Sequence, residues 1–265
     1  MKKIVKGNSI DLLKNLDDNS IDLICTDPPY KITSRGSSGN AGGMMSTELS
    51  KKGKIFNDND IEIKDYASDF YRILKDNSHC YIMCNHKNLQ EFINEFTKVG
   101  FRFTKSLIWV KNNKIMGRYY MNQFEYILFF QKGNKQINNC GTSDVLSFDN
   151  IKTKDKDGKN IHDTQKPISL MKVLVENSSN ENDLVLDPFF GSGSTIFACN
   201  QLNRNFIGFE INDKYFDYVN NQLTNREKLD KRLQEIKKVE LLPENNLDID
   251  TLKKLSDAIN KRNGD

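Results

Sequence analysis

The chain has 265 residues, 37% of them hydrophobic, with 39 Lys and Arg against 36 Asp and Glu for a net charge of +3. It is long enough to bury one substantial core, no apolar run approaches the ~20 residues of a bilayer span, and the N-terminus carries no apolar segment of signal-peptide length, so a cytoplasmic protein with no membrane association is predicted. Five scattered cysteines without a Cys-x-x-Cys pair, and three histidines, argue against a disulfide framework and against a metal site.

In chain order, residues 3–6 read as a strand, 9–16 as a helix, and 21–26 (IDLICT) as a near-continuous apolar strand of the kind covered on both faces in parallel sheets. That strand runs into Thr26-Asp27-Pro28-Pro29-Tyr30. Proline fixes φ and has no N–H, so the exit is rigid and extended, with its carbonyls unpaired. The Asp27 carboxylate and the Pro28 carbonyl can accept the two hydrogens of an exocyclic amine while Tyr30 stacks on the attached ring. Taking both hydrogens frees the nitrogen lone pair, and the nitrogen becomes a usable nucleophile.

Residues 31–56 fit no regular element, are rich in Gly and Ser, and carry Lys31, Arg35, Lys51, Lys52 and Lys54. A loop of this length marks a functional or disordered segment. Helices at 60–75 and 86–99 then alternate with strands at 79–84, 101–110 and 124–131, of which 101–110 alternates most and is expected near a sheet edge. Between Glu95 and Glu125 there is no acid, while Lys98, Arg102, Lys105, Lys111, Lys114 and Arg118 fall among Trp109, Tyr119 and Tyr120. Such a basic, aromatic stretch suits a nucleic-acid surface as well as it suits a solvated strand and loop.

After a polar stretch at 132–165, a helix at 167–179 leads to a strand at 183–187 that ends in Asp187. A turn with Gly191 and Gly193 follows, then a helix at 193–202, a strand at 205–210 ending in Glu210, and a helix at 212–223. Glycines at a strand-to-helix turn let the backbone approach a ligand, and an acid ending the next strand can take ribose hydroxyls. Ile196 breaks the dinucleotide pattern and no Walker lysine follows, so a nucleoside without phosphates is the expected ligand. A turn whose glycines serve packing alone is the competing reading. From residue 224 the charges are balanced, and Leu229, Leu233 and Ile236, then Leu252, Leu255 and Ile259 beyond Pro243, recur at helical spacing and predict packing on the core or on a partner subunit.

TDPPY followed by LDPFFGSGST resembles, in those motifs and in their order, the β class of S-adenosylmethionine-dependent DNA amino-methyltransferases, over about residues 3–222. The resemblance implies an α/β fold: a permuted Rossmann-like, seven-stranded, mostly parallel sheet with one antiparallel strand, helices on both faces and a helical C-terminal tail. Residues 1–223 would form the catalytic domain and 224–265 the tail, with 31–56 a mobile catalytic and DNA loop and 132–161 a target-recognition insertion. Asp27, Pro28, Pro29 and Tyr30 would be catalytic. Asn8, standing where the family has Asp, would join Asp27, Asp187, Phe189, Phe190, Gly191, Ser192, Gly193 and Glu210 around S-adenosylmethionine. HDTQKP resembles the family segment HPTQKP, with Asp163 replacing its first proline, and Lys166 would approach the methionine carboxylate.

The implied reaction is methylation of adenine N6 in double-stranded DNA after base flipping, without a metal. Arg35, Lys51, Lys52, Lys54, Lys111, Lys114 and Arg118 would contact the DNA. A homodimer and a cognate restriction enzyme are compatible with it. Three rivals stand beside this: cytosine N4 methylation, where Ser is commoner at the Asp27 position; an RNA or protein-glutamine methyltransferase, whose site usually reads Asn-Pro-Pro-Tyr after the glycine segment; and a silent DNA-binding subunit.

Overall fold

The computed structural model describes residues 1–29, 61–115, 119–162 and 164–240, with side chains described as far as residue 233. Tyr30, Arg35, Lys51, Lys52, Lys54, Arg118 and Asp163, and the 31–56 loop, lie outside them. The elements in order are β1 (Lys2–Lys6), α1 (Ser9–Leu13), β2 (Ile21–Thr26), α2 (Lys64–Ile73), β3 (Leu74–Cys84), α3 (Leu89–Lys98) and β4 (Arg102–Ile115). There follow β5 (Asn122–Lys132), β6 (Val145–Ser147), α4 (Ile168–Ser178), β7 (Leu184–Asp187), α5 (Ser194–Gln201), β8 (Asn205–Glu210) and α6 (Asp213–Glu240).

One sheet of eight strands has the order β1-β8-β7-β2-β3-β5-β4-β6. β5 runs antiparallel to both its neighbours, β3 and β4, and every other pair is parallel. The seven strands expected from the sequence are present, including the one antiparallel strand. The eighth, β6, emerges from the polar 132–161 stretch and pairs three residues with β4; it is too short to leave a periodic signal. β4 accordingly lies next to the edge, as its alternation suggests.

The sheet grows outward in both directions from β2, by β3 on one side and by β7 and β8 on the other. This makes the carboxyl ends of β2 and β7 a topological switch point, where open α/β sheets bind ligands. α1, α2 and α3 pack together, and α4 packs with α5. Tyr66 and Phe70 of α2 and Phe92 and Phe96 of α3 are fully buried, and the Phe96 ring lies 4.9 Å from that of Phe130 on β5. Burial of each such ring contributes roughly 2 kcal/mol.

Element ends differ from the sequence reading for local reasons. α1 stops at Leu13 because Asn15 and Leu16 bond to Leu12 and Leu13, i to i+3, which tightens the last turn. β3 begins at Leu74, inside the helix expected at 60–75, because Leu74 pairs with Ile21; the ladder then shifts register, and Asn77 takes φ +57, a conformation Asn tolerates. α6 runs past residue 223 to Glu240. Met1–Phe216 form one compact unit and the chain from Asp217 belongs to a second, in which Leu229 and Leu233 are exposed.

Candidate active site

β2 ends in Thr26, and Asp27, Pro28 and Pro29 follow without regular structure, as two prolines dictate. β7, its neighbour, ends in Asp187, and the two strand ends are tied together: Thr26 Oγ1 donates to Asp187 Oδ1 at 2.7 Å. Beyond Asp187 the chain turns through Gly191 (φ +49) and Gly193 (φ +81), and Gly193 N donates to Phe190 O at 2.7 Å. A Cβ on Gly191 would lie 3.0 Å from His162 Nε2, so both the backbone angle and the contact call for glycine.

These ends open onto one cavity of about 580 Å³. Its walls include Asn8, Asp27, Pro28, Pro29, Lys166 and Asp187, together with Phe189, Phe190, Gly191, Ser192 and Glu210. Gly193 stands one step back, as the N-terminal cap of α5. Two motifs 160 residues apart in sequence therefore share one pocket, because the sheet places β2 beside β7.

Each of these side chains has a partner that conditions its use. Asn8 Oδ1 caps α1 by accepting from Ile10 N at 2.9 Å, so that oxygen already carries one hydrogen bond. Glu210 Oε2 accepts from Gly191 N at 2.9 Å and Oε1 from Asn212 N at 2.8 Å. Lys166 does not simply face the cavity. Its ammonium lies 2.5 Å from Asp27 Oδ2 and 3.3 Å from Glu125 Oε2. Asp27 Oδ1 is buried and has no hydrogen-bond partner among the described residues.

The electrostatics follow from enclosure. Burial raises the Asp27 carboxyl, and Lys166 pulls against that rise. Burial also raises Asp187, to about 7. Glu125 is the exception, since burial pushes it up but Lys166 and Lys111 more than reverse this and hold it at about 2. Lys152 is lowered to about 8 by burial and by Lys166, and His162 to about 4 by burial and by Lys166 and Lys152.

Lys111 corrects an expectation. Placed by the sequence among DNA-contacting lysines, its side chain is 6% exposed, bonded to Glu125 Oε1 and set over the Trp109 ring. A charge so enclosed is not offered to a phosphate. Lys114, three residues on, is exposed. Elsewhere in the basic stretch, Lys105 pairs with Asp144 and Arg102 bonds Gln131, while Tyr119 and Tyr120 are exposed.

The sequence reading missed Glu125, Lys152, His162, Asp11 and Tyr215. Asp11, Glu125, His162 and Tyr215 line the cavity, and Lys152 donates to Gln165 O at 2.6 Å. Glu125 left a signal, a lone acid within the apolar run of β5. His162 stands in the HDTQKP segment, its ring 4.4 Å from Tyr215.

The family described as DNA methylase matches residues 21–221. The type II methyltransferase M.HinfI of Haemophilus influenzae is 31% identical over 259 residues, 89% of this chain and 69% of its own length. M.HpaI of Haemophilus parainfluenzae is 32% identical over 244 residues, 84% and 74% of the two chains. Among solved structures, the M1.HpyAVI–SAM complex superposes with a TM-score of 0.62 at 26% identity, covering 84% of this chain and all of that one, 100%. The cytosine-N4-specific PvuII DNA methyltransferase shares the fold, at a TM-score of 0.62 and 18% identity over 81% of this chain and 83% of its own. A match that begins at β2, ends within α6 and takes in both halves of the cavity has one meaning: the chain belongs to the DNA methylase family, with the motif order of its β class.

Proposed function

We propose that the protein transfers the methyl group of S-adenosylmethionine to N6 of an adenine turned out of double-stranded DNA. The observation that carries this is the buried, unpartnered Oδ1 of Asp27 in the same cavity as the Gly191 turn. A cavity of about 580 Å³ suits a nucleoside-sized ligand, and the Gly191 turn, with Glu210 beside it, is the wall that would hold its ribose. S-adenosylmethionine supplies a methyl group already activated by its sulfonium.

The chain's own part is orientation and charge. Asp27 Oδ1 and the Pro28 carbonyl accept the two hydrogens of the target amine, and the extended Pro28-Pro29 backbone holds these acceptors in place. As positive charge develops on nitrogen, the Asp27 carboxylate stabilises it and afterwards passes the released proton to water. Tyr30 stacks on the base. Flipping is required because pairing hides the exocyclic amine inside the duplex, and the basic 31–56 segment, which follows Tyr30 directly, is the part assigned to it. Residues 132–161 read the target site. A DNA substrate favours a cytoplasmic location and is compatible with a restriction enzyme of the same site; sedimentation reports whether the enzyme works as a homodimer.

Asp27→Ala is expected to reduce methyl transfer by about a thousandfold or more while S-adenosylmethionine affinity, measured by calorimetry, stays within about threefold. Turnover retained in that variant overturns the mechanism. Digestion of methylated DNA to nucleosides should yield N6-methyldeoxyadenosine; N4-methyldeoxycytidine would replace the target base and keep the amine chemistry.

A further inference from the structure

Glu125 stands on β5, opposite Trp109 of β4. Because β5 runs against its neighbours, its N-terminal part lies at the end of the sheet where β2 and β7 finish, and Glu125 enters the cavity there. Its two oxygens face two lysines. Oε1 accepts from Lys111 Nζ, and Oε2 lies 3.3 Å from Lys166 Nζ. Lys166 Nζ in turn lies 2.5 Å from Asp27 Oδ2. Lys111, Glu125, Lys166 and Asp27 thus form a row of alternating charge that ends on the unpartnered Asp27 Oδ1.

The row is enclosed: both lysine side chains are 6% exposed, Glu125 22% and Asp27 24%. Exposed pairs are screened and contribute little, whereas in a site of low effective dielectric a charge lost at one end is felt at the other. A carboxylate with a lysine to itself at 2.5 Å is a weakened acceptor for anything else. Here the lysine is shared.

We infer that Glu125 is a positioning residue for methyl transfer: anchored by Lys111, it draws off part of the Lys166 charge and so preserves Asp27 as a strong acceptor for the target amine. This rests on the reading of Asp27 as that acceptor. The opposite directions in which the two acids are displaced, Asp27 upward by burial and Glu125 down to about 2 by its lysines, agree with such sharing. The other charged or titratable groups facing the row are Lys152, His162, Cys84 at the end of β3 and Asp187 at the end of β7. The test leaves all four in place.

The test is a carbon NMR titration of the Asp27 carboxyl in the full-length chain, assigned by its loss in Asp27→Asn, with kcat and KM for DNA measured alongside. Glu125→Gln should lower the Asp27 pKa by about one unit, since it removes a like charge and returns Lys166 to Asp27. Lys111→Met should raise it by about as much, because Glu125 then competes harder for Lys166. Glu125→Gln should also lower kcat about tenfold with KM within about twofold, and Glu125→Asp should recover at least about half of that loss. In a Lys166→Gln background the displacement by Glu125→Gln should fall below about half, because the effect passes through Lys166.

Shifts in the same direction, no shift, or a displacement undiminished without Lys166 would overturn the inference. Should Glu125→Gln fail to show a cooperative melt, Lys111→Met and Glu125→Asp decide the matter alone: an unmoved Asp27 titration in the first overturns it. Retained transfer in Asp27→Ala would bring down the functional reading itself. An inactive Asp27→Ala together with unmoved titrations removes only the role of Glu125.

Discussion

Asp187 shows how much one buried carboxyl can carry. It is 3% exposed, and its Oδ1 accepts from Thr26 Oγ1 at 2.7 Å and from Phe189 N at 3.2 Å. Burial pushes it up to about 7, against ~3.9 in an unfolded chain. The folded protein therefore holds this proton more tightly, and the stability the group contributes is full below about 4 and lost as pH rises through about 7. Asp187→Asn keeps the accepting oxygen and removes the titration. Between these pH values the variant should gain on the parent, by on the order of 4 kcal/mol as an upper bound. Thermal melts across the window check it, and parallel curves for the two proteins would contradict it. The sequence marks Asp187 by its place before the glycine turn, but not its bond to Thr26, because that depends on two strands pairing across 161 positions.

At the scale of elements, β8 and α5 meet at a position the sequence does not single out. A Cβ on Gly208 would lie 2.7 Å from Ile196 Cδ1 and 2.8 Å from Phe190 Cδ1. Gly208→Ala should therefore overpack the seam and destabilise by about 1–3 kcal/mol, lowering the melting temperature by several degrees, at roughly 2–4 °C per kcal/mol for a chain of this size. Phe190 also lines the cavity, so S-adenosylmethionine affinity should fall with it. Circular dichroism melts and calorimetry report the two effects, and an unchanged melting temperature would show that the seam yields. Strands at the centre of the fold are legible because burial on both faces leaves near-continuous apolar runs, and helices because their buried face recurs at helical spacing. The short β6 and the bulged start of β3 are not, since pairing with β4 and β2 decides them.

For the whole molecule, a net charge of +3 says little, and where the lysines point says more. Lys114 is exposed, whereas Lys111 is turned inward onto Glu125. Lys114→Ala should weaken DNA binding and lower the slope of log affinity against log salt by about one. Lys111→Met should leave that slope unaltered. Binding titrations over a salt series distinguish them, and a reduced slope for Lys111→Met would mean that its ammonium reaches DNA after all.

The amino-acid order by itself determined the parallel core, the rigid proline exit after β2, the glycine turn after β7 and the nucleoside chemistry those two sites imply. Each is written in contiguous residues, through side-chain periodicity or the backbone limits of Pro and Gly. Only the tertiary structure decided that Lys166 pairs with Asp27 across 139 positions, that the reversed direction of β5 carries Glu125 into the cavity, and that Lys111 withdraws from the surface. Those contacts depend on strand order and direction, and a charge has no local pattern that reveals which distant charge it will meet.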